Sequence, residues 1–101
     1  MTAISEHDSA AANHTCVLNV KGSRGALHFL LQRVAGGVYV EREEVPRRGL
    51  RTMQSIQFAS VADFIRWCDS DPVRFEHPLL HVSLKRDGEK LWNIEPKSPG
   101  P

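Results

Sequence analysis

The sequence predicts an α+β domain: an antiparallel β-meander of four to six strands with one amphipathic helix packed on one face, in the order β-β-β-β-α-β-β. Three observations carry that prediction. Between residues 15 and 58, segments of alternating polarity are divided by short Gly-containing turns. From Ser60, apolar residues fall at helical spacing. After a Pro-containing linker, Asp87-Gly88 separates two further alternating segments. The domain is expected to span 15–94. Residues 1–14 and 95–101 read as disordered tails, the first small and polar, the second with three prolines in EPKSPGP.

Thr15 to Lys21 is a β candidate, and the turn Lys21-Gly22-Ser23-Arg24-Gly25 follows it. Ala26 to Val34 sets Leu27, Phe29 and Leu31 against His28 and Gln32. Leu30 falls on the polar side, which points to cover on both faces of the central sheet. Ala35-Gly36-Gly37 turns the chain into Val38 to Val45, where Val38 and Val40 oppose Tyr39, Glu41 and Glu43. Pro46-Arg47-Arg48-Gly49 is a turn with φ preset by proline. Leu50 to Phe58 then alternates, with Ile56 and Phe58 on the face of Leu50.

Ser60 is placed to cap a helix, and Asp63 suits its positive end. Val61, Phe64, Ile65 and Cys68 form one stripe, with Trp67 on its flank. Asp71-Pro72 stops the helix, because the residue before proline is pushed out of the αR region. In the expected last hairpin, Leu79 to Arg86 and Glu89 to Ile94, Leu80, Val82 and Leu84 face the core. His81, Ser83, Lys85, Lys90 and Trp92 share the opposite face.

The chain of 101 residues carries a formal charge of +1, but between Cys16 and Ile94 twelve Lys/Arg stand against nine Asp/Glu. That excess is far from the balance of a dedicated duplex-DNA binder. Arginine outnumbers lysine nine to four, which favours bidentate anion contacts. Cys16 and Cys68 match no metal or redox spacing. No stretch approaches the ~18 apolar residues of a membrane span, and the first residues lack the pattern of a signal peptide. These features predict a soluble cytoplasmic protein with reduced thiols.

Two groups of residues are candidates for a binding site. In a meander, alternate turns lie at one end of the sheet, about 10 Å apart over two strand spacings. Lys21 and Arg24 on one turn, with Arg47, Arg48 and Arg51 on and beyond the other, would form a basic rim for successive phosphates or an acidic partner. Glu43 and Glu44 would blunt its field. The second group is Lys85, Lys90 and Trp92 on the polar face of the last hairpin. Cations beside an aromatic ring attract a nucleic-acid backbone and stack its bases. Tyr39 and His28 would extend this platform if their faces coincide.

The remaining chemistry is thin. His77 and His81 chelate a metal at i, i+4 only on a helix, and an extended segment sets their Cα atoms about 13 Å apart. No metal or cofactor is expected. Ser83 with His81, and Cys68 with His77, are the nucleophile–base pairs available. Cys68 lies in the apolar stripe, where burial makes a thiol inert. No Gly-rich loop opens a helix after a strand. A non-enzymatic module is therefore expected.

The β-β-β-β-α order of 15–71 resembles, in topology alone, the single-stranded-DNA-binding transcriptional coactivators and their whirly-type relatives. No motif accompanies that likeness, so no residues are transferred. Two functions follow. One is a small binding module for single-stranded nucleic acid or another polyanion, or an acidic protein. The other is a protein-interaction or homodimerisation module using an open sheet edge or the Trp67 flank.

Overall fold

A computed structural model describes the backbone of residues 4–8 and the whole of residues 14–95. Its elements are β1 (Ile4–Asp8), β2 (Thr15–Gly22), β3 (Gly25–Val34), β4 (Gly37–Pro46), β5 (Thr52–Phe58), α1 (Val61–Ser70), α2 (Val73–Glu76) and α3 (Pro78–Trp92). The strands form one antiparallel sheet in sequence order, β1-β2-β3-β4-β5. Each Gly-containing turn between 15 and 46 closes a pair: Gly22 lies opposite Gly25, and Val34 opposite Gly37. Gly37 has φ +151°, and a Cβ there would sit 1.8 Å from the Phe58 carbonyl oxygen. Only glycine fits that approach of the hairpin to the end of β5.

The strand alternation places Cys16, Leu18, Val20, Leu27, Phe29, Leu31, Val38 and Val40 on one buried face. The helices cover this face with Phe64, Cys68, Val73, Leu80, Leu84 and Leu91. Phe29 meets Trp67 edge-on at 6.2 Å, and Phe58, Phe64, Trp67 and Trp92 form a connected aromatic cluster. Ser60 caps α1, its Oγ accepting from the Asp63 amide at 3.2 Å. Asp71 ends the helix in an extended conformation (φ −80°, ψ 141°) before Pro72.

Several expectations are corrected. Of the stretch 1–14, Ile4–Asp8 pairs with β2 as a fifth strand, Ile4 opposite Val20. Residues 1–3 and 9–13, and the expected tail 96–101, lie outside the described residues. Leu50 precedes β5 and is 87% exposed, so it shares no face with Phe58. Val61, expected in the apolar stripe, is 38% exposed in the first turn of α1.

The larger correction is the last hairpin, which is α3. Three helices occur among the described residues where one was expected. Pro78 occupies the helix start, where its missing N–H costs nothing. Leu80, Leu84, Asp87, Gly88 and Leu91 form the buried stripe, while Leu79 and Val82 point to solvent. Asp87-Gly88 is therefore mid-helix. Glycine there gives up about 1 kcal/mol of helix propensity. The position is filled instead by a ring: a Cβ on Gly88 would lie 2.2 Å from Phe64 Cζ. The absent side chain lets α3 approach α1, and that contact outweighs the local turn signal.

Candidate functional site

The β2–β3 turn and the start of the β4–β5 loop meet at one end of the sheet, as the meander requires. The Arg47 amide donates to the Arg24 carbonyl at 2.9 Å, and Gly25 lies opposite Pro46. A shallow cleft of about 400 Å³ opens here. It is bounded by Arg24 and Ser23 on the turn, Glu44 and Pro46 at the end of β4, and Glu76 and His77 beside α2. An adjoining hollow is lined by Lys21 and Arg47.

The ion pairs divide the cations into two sets. Arg33 donates to the carbonyls of Val34, Gly37 and Ile94. Arg42 binds Asp71 and Glu44, Arg51 binds Glu43 at 3.0 Å, Arg66 binds Asp63, Lys85 binds Asp69 and Arg86 binds Asp87. Arg74 lies 5.2 Å over the Phe75 ring. Lys21, Arg24, Arg47 and Arg48, with Lys90 apart on α3, form the other set, and their side chains make no ion pair or hydrogen bond among the described residues. Four of the five predicted rim cations thus gather unneutralised at one end. The fifth, Arg51, is spent on Glu43. Glu43 and Glu44, expected to blunt the rim, are each engaged by an arginine. Glu76, at the cleft edge, makes no such pair among the described residues.

The predicted platform of Lys85, Lys90 and Trp92 is not assembled. All three lie on α3, where a seven-residue spacing puts Lys85 and Trp92 on one flank and Lys90 on another. Trp92 packs on Phe64 at 5.4 Å and Lys85 is tied to Asp69, while Lys90 is exposed. Tyr39 and His28 sit on the sheet face turned away from the helices. There Tyr39 Oη donates to Glu41 at 2.6 Å and His28 pairs with Asn19. Their face does not coincide with that of Trp92.

His77 and His81 are not on an extended segment either. His77 is the N-cap of α3, and its carbonyl accepts from the His81 amide at 2.9 Å. His81 Nε2 and Lys85 Nζ both lie 2.9 Å from Asp69 Oδ1. This joins α1 to α3. The Lys85 hydrogen bond, helped by His81, holds the Asp69 carboxyl below its ordinary range. No cluster of three metal-ligating side chains occurs among the described residues. Ser83 stands two positions from His81 on the same helix, a spacing that does not bring side chains together.

Cys16 and Cys68 are both buried thiols. Burial, then the nearby Asp69 charge, pushes the Cys68 thiol up to about 12, so it carries almost no thiolate at neutral pH. No described helix is long and apolar enough to cross a membrane.

The pair between Arg42 and Asp71 had no counterpart among the sequence expectations. Arg42 Nε lies 2.7 Å from Asp71 Oδ2 and its Nη2 lies 3.1 Å from Oδ1, with both side chains largely buried. Asp71 also accepts from the Val73 amide at 2.9 Å. Twenty-nine residues separate the partners, and no local pattern links a strand arginine to a helix stop.

Comparison with protein-family models, curated proteins and solved structures finds no match to this chain. No comparison supports the expected resemblance to the coactivators and whirly proteins, and a fifth strand and two further helices lie outside the β-β-β-β-α order it was drawn from.

Proposed function

We propose that this is a small non-enzymatic binding module that holds a polyanion at the turn end of its sheet, with the phosphate backbone of single-stranded nucleic acid as the ligand to test. One observation carries the reading: Lys21, Arg24, Arg47 and Arg48 converge without carboxylate partners among the described residues, while most other described cations are engaged within the protein. Charges already neutralised inside a protein contribute little to a distant anion. Unneutralised ones release counterions when phosphates replace solvent. Two arginine-bearing loops side by side also suit forked contacts to adjacent phosphates.

The mode proposed is backbone contact with little base preference. Trp92 is packed against Phe64, and Lys85 serves Asp69, so neither joins the cations. Fluorescence anisotropy of a labelled oligothymidylate across a salt series tests the reading. The affinity is expected to fall steeply with salt. Arg47→Ala/Arg48→Ala should weaken binding and flatten the log–log salt slope, by about 0.7 for every single-strand phosphate that the variant no longer neutralises. Affinity unchanged by the double substitution rules the reading out.

A further inference from the structure

We propose that the chain pairs with a second copy of itself through the free edge of β5, antiparallel and centred on Ser55, joining two five-stranded sheets into one. The inference stands apart from the anion-binding reading and uses none of its residues.

β5 is the last strand of the sheet, and no described element pairs with its outer edge. Natural edge strands are protected by charge, proline, bulges or short length. β5 has none of these. Its seven residues, Thr-Met-Gln-Ser-Ile-Gln-Phe, are uncharged and proline-free, and they pair with β4 in unbroken register.

Hydrogen-bonded pairs alternate along an antiparallel ladder. The tight β3–β4 hairpin closes with Val34 opposite Gly37, so the odd-numbered residues of β4 bond to β3 and the even-numbered ones to β5. On β5, the even-numbered residues therefore bond inward. Met53, Ser55 and Gln57 direct their backbone groups to the open edge. A two-fold axis at Ser55 is the register that uses all three: Ser55 meets itself, and Met53 meets Gln57 of the copy. No like charges are brought together.

The exposed apolar side chains support the same register. Of the six large ones on the described surface, Leu50 (87%), Met53 (53%) and Val61 (38%) lie on or beside β5. In this register the segment entering β5 from Leu50 lies beside the far end of the copy's β5, where the chain turns into α1 at Val61. The exposed residues at the two ends of the strand are thus complementary across the axis. A perpendicular axis also leaves both helical layers on one face, so the copies do not collide through their cores.

Light scattering on the eluting full chain, from micromolar to near-millimolar concentration, tests the proposal. The mass is expected to rise to twice the 11.3 kDa of the chain. Ser55→Lys, which sets two ammonium groups opposite each other, should return it to the single-chain mass with an unchanged far-UV circular dichroism spectrum. Ser55→Cys should form a disulfide-linked dimer under mild oxidation, because directly opposed hydrogen-bonded residues lie about 5.5 Å apart, within disulfide reach. Met53→Cys and Gln57→Cys should cross-link to each other when mixed and not to themselves. The proposal is overturned by a monomer at every concentration, by a dimer that survives Ser55→Lys, or by cross-linking of Met53→Cys or Gln57→Cys to itself in place of Ser55→Cys.

Discussion

Replacing Asp71 by alanine would take the nearer, more buried carboxylate from the Arg42 guanidinium, itself 12% exposed, and leave it the half-exposed Glu44 at 3.3 Å. The carboxylate accepts one hydrogen bond from Arg42 Nη2, faces its Nε at 2.7 Å as an ion pair and also accepts from the Val73 amide, so one side chain fastens the start of α2 to the sheet. Arg42 lies 5.8 Å over the Phe29 ring, which adds a favourable face to its cation. Breaking a buried pair from one side leaves a desolvated charge behind. Asp71→Ala is therefore expected to lower the unfolding free energy by about 3–5 kcal/mol. Asp71→Asn, which keeps an acceptor for Val73, should cost less. Urea denaturation of the two variants against the parent measures both, and equal stability of all three would show that the pair carries no net weight.

Among the elements, α3 is where competing local signals were resolved. The hairpin reading places Leu80, Val82 and Leu84 on one buried face, whereas the helix buries Leu80 and Leu84 and turns Val82 out to 57% exposure. The two arrangements assign opposite costs to one substitution. Leu84→Ala is expected to destabilise by about 2–5 kcal/mol, and Val82→Ala by no more than about 0.5 kcal/mol. A large loss from Val82→Ala in thermal or chemical unfolding would contradict the helix. The meander was easier to read than α3, because each of its turns carries its own chemistry: glycine at a positive φ, or proline at a preset one. The Ser60 cap and the Asp71-Pro72 stop were legible for the same reason. Asp-Gly is equally local, but at Gly88 the Phe64 ring occupies the space that a side chain would take.

For the whole molecule, the cationic end and the β5 edge are separate surfaces. The antiparallel pairing about Ser55 sends the two copies' cationic ends to opposite ends of the joined sheet, so an anion held at one does not reach across the axis. Arg47→Ala/Arg48→Ala is thus expected to keep the concentration-dependent doubling of mass while losing affinity for the oligonucleotide. Sedimentation velocity in parallel with anisotropy checks this, and loss of both properties together would mean that the surfaces are coupled. The candidate site was half legible. Alternate turns of a meander must share an end, so the meeting of Arg24 and Arg47 followed from strand order. Which cations would remain unneutralised did not, because Arg51–Glu43 and Arg42–Asp71 depend on strand register and on the placing of the helices.

Neighbouring residues were enough to specify the β2–β5 meander and the beginning and end of α1, since alternation, turn residues and caps act over a few positions, whereas the cover on both faces expected from Leu30 is found on one face only among the described residues. Folding in three dimensions was needed to join Ile4–Asp8 to the sheet, to make 78–92 a helix, and to commit Trp92 to the core and Lys85 to Asp69. Those outcomes rest on contacts between residues far apart in the chain, where the packing of one element on another outweighs local preference.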